Sequence, residues 1–322
     1  MKRTIPSGLS VLALVIAAPG HAAAPIDTSR PMTLVVPFAA GSATDQLARA
    51  LGQSITESTG QTVLVTNKPG ASAMIGAQDV ARAAPDGYTV LITTNTTHAA
   101  NEHLYKQLPY DPVKDYEPIT ALGQGGQILV VNTQSPVKSV GELIALAKEQ
   151  PGKLSFGSGS SSSRIAGELF KQMAGVDILH VPYKSNPPAL TDLVGNQISM
   201  MITDSATGLP QIQGGRVRAL GVTSKTRSVL VPEVPTIDEA GVPGYEMGYW
   251  FAAYAPKGTP QPVVTYLHDT FVAATKAKAA QSFYSQTGTT PFTNSPKELA
   301  EFQAAESAKW GKIIQEAGIQ PE

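Results

Sequence analysis

Apolar positions along this chain follow two alternating rhythms. Short β-rich runs at Thr33 to Val36, Thr62 to Val65 and Tyr88 to Thr93 are separated by helical spacings, first Leu47, Ala48, Leu51 and Ile55, then Ile75 to Ala84. Gly60 stands where a helix takes a C′ glycine, Ser42 with Asp45 fits a capping box, and Pro85, Asp86 and Gly87 close the second helix. The order β-α-β-α-β predicts a parallel sheet with right-handed crossovers. The rhythm then restarts. Ile128 to Val131, Leu154 to Phe156, Ile178 to Val181, Ile198 to Ile202 and Ala219 to Val222 read as strands with helices between them, and Ser139 with Glu142 caps a helix that Pro151 and Gly152 stop. Thr236 with Glu239 predicts a short helix, Met247 to Ala255 a long strand, and Ser295, Pro296 and Glu298 the start of a last helix to about Ala317. Two α/β units follow one another, with no repeat, low-complexity tract or Ser/Gly linker between them.

The first residues follow neither rhythm. Lys2 and Arg3 precede an apolar run from Leu9 to Ala18, and Gly20, His21 and Ala22 form a small-x-small signal, so residues 1–22 are expected to be an export signal cleaved after Ala22 or Ala23. A run of about ten residues falls short of the ~20 that span a bilayer. The mature chain is therefore expected to be exported and soluble. Removing Lys2 and Arg3 takes the formal charge from −1 to −3. The 322 residues favour two domains over one. The absence of cysteine excludes a disulfide scaffold, a thiolate metal cluster, a Cys nucleophile and a thioether lipid anchor. With 24 Lys and Arg against 25 Asp and Glu, no basic field is available for a nucleic acid.

In an open α/β chain, ligands sit outside the carboxyl ends of strands, where loops enter helix N-termini. Those loops here are Pro37 to Asp45, Asn67 to Gly76, Thr93 to His98, Phe156 to Arg164, Val181 to Ser185 and Ile202 to Gly208, all rich in Gly, Ser and Thr. Such loops present backbone N–H groups and hydroxyls at positive helix ends, each favouring an anion by roughly 0.3–1 kcal/mol and by about 2 when partly buried. The same residues also serve simply to turn a chain. Four consecutive serines, Ser160 to Ser163, exceed what a turn needs. Arg164 either forks on a carboxylate or is a solvated helix-surface arginine, Lys184 reads as exposed, and Asp204 either accepts from a ligand or caps a helix.

Enzyme motifs fail on detail. Gly157-Ser158-Gly159 lacks the third glycine of a dinucleotide fingerprint, Ser162 standing there, and the acidic residue 20 positions on, Asp177, precedes a strand instead of following one. There is no phosphate-binding G-x-x-x-x-G-K-[ST] segment and no G-x-S-x-G elbow. His98 and His103 lack metalloprotease spacing, and His180 and His268 have no evident nucleophile beside them in sequence. No cofactor, metal or catalytic residue is assigned. A rival reading is an exported α/β enzyme drawing a nucleophile from Ser158 to Ser163; another is a ligand-dependent partner of a membrane sensor kinase.

The segments PFAAGSATDQLAR, NKPGASAMIGAQDVARAAPDGYT, HVPYKSNPPALTDLVGNQISMMITD, GRVRALGVTSKTRS, VPEVPTIDEAG and APKGTP resemble the periplasmic solute receptors of the tripartite tricarboxylate transporters, the Bug family, in order along the whole mature chain. The resemblance implies an α/β fold of two lobes, a Venus flytrap built on two parallel-type mixed sheets flanked by helices. Lobe 1 would comprise residues 25–125 plus 249–322 and lobe 2 residues 126–248. It also implies a monomer that is not an enzyme, a small organic carboxylate held between the lobes, and the membrane components of the transporter as partners. Ligand contact falls, by resemblance, on Phe38, Gly41, Ser42, Thr44, Asp45, Gly70, Ala71, Thr93, Ser158, Ser160, Ser161, Thr203 and Asp204. Two departures matter. Ala40, Gly41, Ser42 and Ala43 replace a more glycine-rich first loop, and Arg164 stands where the family supplies His, suggesting a grip on a second ligand carboxylate. That favours a dicarboxylate, with aromatic diacids such as terephthalate among the candidates. Phe38, Tyr249, Trp250 and Phe251 could wall a flat ring, although strand alternation lets only part of the run 249–251 face inward.

Overall fold

The computed structural model describes Met1 and residues 26–322. The expected export signal and its cleavage points fall on residues 2–25, outside the described ones. The first parallel unit is β1 (Met32–Val36), α1 (Ala43–Thr59), β2 (Val63–Asn67), α2 (Met74–Ala81) and β3 (Thr89–Thr94). Its strands lie in the order β2-β1-β3, all parallel. A π-helix (Thr96–Ala100) and α3 (Asn101–Leu104) lead to β4 (Tyr116–Asn132). The second unit contains α4 (Val140–Glu149), β5 (Ser155–Ser158), α5 (Ser161–Ala174), β6 (Leu179–Pro182), α6 (Asn186–Val194), β7 (Met200–Asp204), α7 (Ser205–Gln213) and β8 (Val217–Val222). β5 pairs in parallel with β6 and β7. The chain returns through β9 (Gly248–Pro256) to α8 (Gln261–Lys276), α9 (Lys278–Thr287) and α10 (Pro296–Glu316).

Two antiparallel strands join the units. β9 lies between β3 and β4, and β4 continues into the second unit, where it pairs with β7 and β8. One strand thus serves both halves. It changes partner between Gly126, opposite Gly248, and Gln127, opposite Asp204. The result is the expected α/β fold of two lobes, each a parallel triplet completed by antiparallel strands and flanked by helices.

The caps explain several boundaries. Ser42 Oγ accepts from Asp45 N at 3.3 Å, and Gly60 at φ 75° ends α1. Ser295 and Glu298 form a complete capping box ahead of α10. Thr236 and Glu239 also exchange both box hydrogen bonds, at 3.0 Å each, yet the expected helix stops after one turn, where Gly241 takes φ 114° and Pro243 follows. β4 extends well before Ile128; Pro118, Gly123, Gly125 and Gly126 conceal that stretch from periodicity, and its register shifts near two of them.

Candidate functional site

Loops from both halves converge on one cavity beside the hinge strands. Phe38, Ser42, Ala43 and Thr44 enter from the β1–α1 loop and Thr94 from the end of β3; Gly159, Ser160 and Ser162 come from the β5–α5 turn. Ser185 and Asn186 open α6, Asp204 opens α7, and Gln127, Tyr249 and Phe251 come from β4 and β9. Each βα contribution arises at the carboxyl end of its strand, where the parallel topology places helix N-termini. The space open to water is about 30 Å3, room for two or three molecules. Pockets for drug-sized ligands are typically ~300–1,000 Å3, so the space between these loops is small as it stands.

Four helix N-termini face it. Ser42 caps α1, Ser160 Oγ accepts from Ser163 N at 3.2 Å, and Asp204 Oδ1 accepts from Thr207 N at 2.8 Å. Ser185 occupies the α6 cap position, but its hydroxyl, fully buried, has no partner. Gln127 Oε1 is likewise buried and unpartnered, as are Thr203 Oγ1, Thr207 Oγ1, Thr96 Oγ1 and both polar atoms of the Asn95 side chain. Each such group costs about 1–3 kcal/mol unless something meets it. No Lys, Arg or His lines the cavity. Positive potential therefore comes from helix ends and neutral donors, while Phe38, Tyr249 and Phe251 supply the apolar wall.

Of the residues expected at the site, Phe38, Ser42, Thr44, Ser160 and Asp204 line this cavity. Asp45 stands behind it: its carboxylate accepts from Gly41 N and Asn67 Nδ2 at 2.9 Å and from Arg49 Nε at 3.1 Å. Burial alone would raise its pKa, but the hydrogen bonds from Arg49, Gly41 and Asn67 and the Arg49 charge hold it below the usual carboxylate range. The Gly41 amide is thereby committed to Asp45. Thr93 and Thr203 point the other way, because alternation gives the cavity face to Thr94 and Asp204; Thr93 Oγ1 instead meets Thr97 Oγ1 at 2.7 Å. The same alternation brings in Tyr249 and Phe251 and turns Trp250 toward Glu306.

Arg164, expected to grip a ligand carboxylate, does not line the cavity; its Nη2 pairs with Glu322 Oε1 at 2.6 Å. Ser161 Oγ donates to Asn101 Oδ1 at 2.6 Å, and Ser158 Oγ meets His180 Nε2 at 2.7 Å. Burial and the nearby Arg164 and Lys171 charges push His180 down to about 4. This is the base that the sequence did not place beside a serine, but Ser158 does not line the cavity.

Gly70 and Ala71 also miss the cavity. Ala71, Ser72 and Ala73 take φ values of 46°, 49° and 69° in succession, each costing about 1–2 kcal/mol for an L-residue. Ser72 O accepts from Asn101 Nδ2 at 2.9 Å, so the strained turn orients the residue that meets Ser161. Gly159 went unassigned in sequence. A Cβ there would overlap the backbone of Ser185 and Asn186, and its amide donates to Asn186 Oδ1 at 3.1 Å.

A wider groove of about 470 Å3 borders the hinge where residues 124–128 and 246–250 meet α10. Its charges are paired, Lys225 with Glu246 and Lys309 with Glu306, whereas the interlobe cavity collects four helix N-termini and the unpartnered Ser185 hydroxyl. The interlobe cavity is therefore the candidate site.

Among solved structures, "R. palustris Rpa4515 with adipate" is 38% identical, with a TM-score of 0.88 over 91% of this chain and 99% of that one. The periplasmic binding protein BugD is 34% identical, with a TM-score of 0.87 over 91% of this chain and 99% of BugD. MatC from Rhodopseudomonas palustris with bound malate is 30% identical, with a TM-score of 0.84 over 88% of this chain and 99% of MatC. No helix among the described residues is long and apolar enough to cross a membrane. The description "Tripartite tricarboxylate transporter family receptor" matches residues 47–319, and the chain belongs to that family.

Proposed function

We propose that this protein is a periplasmic solute receptor that captures a small dicarboxylate between its lobes and delivers it to the membrane components of a tripartite tricarboxylate-type transporter. On this reading it is a monomer without catalytic activity. Lobe 1 comprises residues 25–125 plus 249–322 and lobe 2 residues 126–248, a division supported by the change of partner along β4. The observation that carries the proposal is the convergence of four helix N-termini from both halves, together with the unpartnered Ser185 hydroxyl and Gln127 Oε1, on a cavity without a basic side chain. One carboxylate would sit at the Ala43 and Thr44 amides and the other at the α5 and α6 ends. Adipate and malate, the ligands of two relatives, are both dicarboxylates. Phe38, Tyr249 and Phe251 further suit an aromatic diacid such as terephthalate.

Charge-assisted hydrogen bonds of about 1.5–3 kcal/mol each can reach the roughly −8.2 kcal/mol of a micromolar complex after the costs of association. A ligand touching both lobes favours the closed form by the contacts it makes only there, and that form is what the transporter would read. A thermal-shift screen of mono-, di- and tricarboxylates, aliphatic and aromatic, tests the proposal. A ligand at about 100 times its Kd adds roughly 2.7 kcal/mol of stability. A melting curve unmoved by every acid rejects it. Product formed from a bound acid would instead favour the enzyme reading that the Ser158–His180 pair keeps open.

A further inference from the structure

Gln127 is the first residue of β4 past its change of partner, and its main chain is committed. Its N–H donates to Thr223 Oγ1 at 2.7 Å, and its C=O accepts from Thr223 N at 2.9 Å. Both groups point toward the end of β8. On the other side, Gln127 and Asp204 stand opposite one another on β4 and β7 as a pair not joined through the Gln127 main chain. Such pairs bring their Cα atoms to about 4.5 Å and send both side chains to the same face of the sheet. Both residues line the interlobe cavity; Gln127 also borders the hinge groove, but Asp204 does not.

The rest of the cavity wall is built to give hydrogen bonds. Four helix N-termini face it, and the fully buried Ser185 hydroxyl has no partner. Gln127 and Asp204 have the opposite sense. Asp204 Oδ1 accepts from Thr207 N at 2.8 Å and Oδ2 from Asn186 Nδ2 at 2.7 Å, which leaves each oxygen one further lone pair. Gln127 Oε1 accepts from nothing, on a residue only 2% exposed. Two ionised carboxyl groups bring acceptors alone. An unsubstituted diacid therefore serves the donors of this wall and leaves Gln127 Oε1 unmet, with the Asp204 carboxylate beside it repelling any further oxygen. A hydroxyl or ammonium hydrogen suits both residues.

We propose that Gln127 is a specificity-determining residue: its Oε1, with Asp204 beside it, accepts a hydrogen bond from a donor that the ligand carries between its two carboxylates, so the receptor selects a hydroxy- or amino-diacid over the unsubstituted one. This rests on the proposed function, in which the diacid lies in the interlobe cavity, and narrows it. Gln127 stands on the strand shared by both lobes, whereas the carboxylates would be taken at the helix ends of each, so the group it reads is in the middle of the solute. Phe38, Tyr249 and Phe251 accommodate either a chain or a ring, and the Tyr249 hydroxyl is engaged with Thr289 Oγ1 at 3.1 Å. An aromatic diacid meets the same rule through a ring substituent. A buried acceptor met by the ligand, compared with one left unmet, corresponds to about tenfold or more in affinity.

Isothermal titration calorimetry of the full chain against three matched sets tests this. The sets are succinate, malate and aspartate; adipate, 2-hydroxyadipate and 2-aminoadipate; and terephthalate with its 2-hydroxy and 2-amino derivatives. Within the set that binds most tightly, one substituted acid should exceed the unsubstituted one by about tenfold or more, and which of the two does so distinguishes a hydroxyl from an ammonium. Gln127→Met, of similar length and without the amide, should collapse that ratio of Kd values toward one, and Gln127→Leu should do the same. An unsubstituted acid bound as tightly as both of its derivatives overturns the inference. So does a ratio unchanged in the variants, the result expected if the Gln127 amide only packs the strand or donates to a carboxylate, since all three acids of a set would then weaken alike. If none of the nine acids binds, the proposed function itself fails and this inference falls with it.

Discussion

Gly159→Ala is the sharpest test of how the site is assembled. The first Cβ atom at this position would land inside the backbone of Ser185 and Asn186, and restoring ordinary contact at 3.4–4 Å requires that backbone to retreat by more than an ångström. No flexible side chain can absorb the shift. The retreat stretches the Gly159 N to Asn186 Oδ1 hydrogen bond of 3.1 Å and the Asn186 Nδ2 to Asp204 Oδ2 hydrogen bond of 2.7 Å. Overpacking costs typically 1–3 kcal/mol, and a clash with backbone lies at the upper end, so the variant should lose about 2–3 kcal/mol of stability in urea denaturation. The larger effect falls on binding. Ser185, Asn186 and Asp204 would all be displaced from the cavity, and two compromised hydrogen bonds to an anion predict a loss of about 100-fold in affinity by isothermal titration calorimetry. A Gly159→Ala protein as stable as wild type and binding the same acid equally well would refute the claim that this close approach sets the second-lobe half of the site.

Two other perturbations follow from the same geometry. Asp45→Ala removes the acceptor shared by Gly41, Asn67 and Arg49 and should cost about 2–3 kcal/mol in chemical denaturation, discounted for the half-exposed Arg49, while loosening the first-loop contacts to ligand; because the Asp45 pKa is lowered on folding, its contribution is full above the ordinary carboxylate range and disappears as pH falls through the lowered value. His98 is fully buried, stacked on Tyr254 at 3.8 Å, and burial pushes its pKa down to about 3, so the unfolded chain takes up a proton that the folded one refuses; stability should fall as pH drops from about 6.5 toward 3, by an amount on the order of 4 kcal/mol, and His98→Gln should flatten that slope in pH-dependent urea melts.

The parallel triplets were legible because their strands are short apolar runs bounded by Gly, Pro and capping residues. β4 was legible only from Ile128 onward, since its first half carries Pro118 and three glycines and derives its stability from pairing with β9, a partner more than 120 residues away in sequence. α8 and α9 were not read at all; they bury Phe271 and Phe283 against the first-half core. At the site, composition located the loops but not the atoms. Thr93 was one residue off because a strand of period two offers alternate faces, and only the tertiary arrangement says which face meets the cleft. Arg164 stands about one turn up α5 from the Ser160 cap, roughly 6 Å along the axis, and does not line the cavity. Gln127 carries no local signature, being an ordinary strand residue, whereas Tyr249 and Phe251 stand out in the sequence only as aromatics on a predicted strand.

The distribution of charge around the cavity bears on why such a receptor uses neutral groups. A buried arginine facing the ligand would bring its own desolvation penalty and would be left unpaired each time the solute departs, a state that typically costs several kcal/mol. Helix ends and hydroxyls carry no net charge. When the solute leaves they lose partners one at a time, and water can replace each of them. The one carboxylate on the cavity wall, Asp204, is already occupied by Thr207 N and Asn186 Nδ2, so it presents little free negative charge to an incoming anion. The Arg164 charge is met by Glu322 at 2.6 Å, away from the residues that line the cavity.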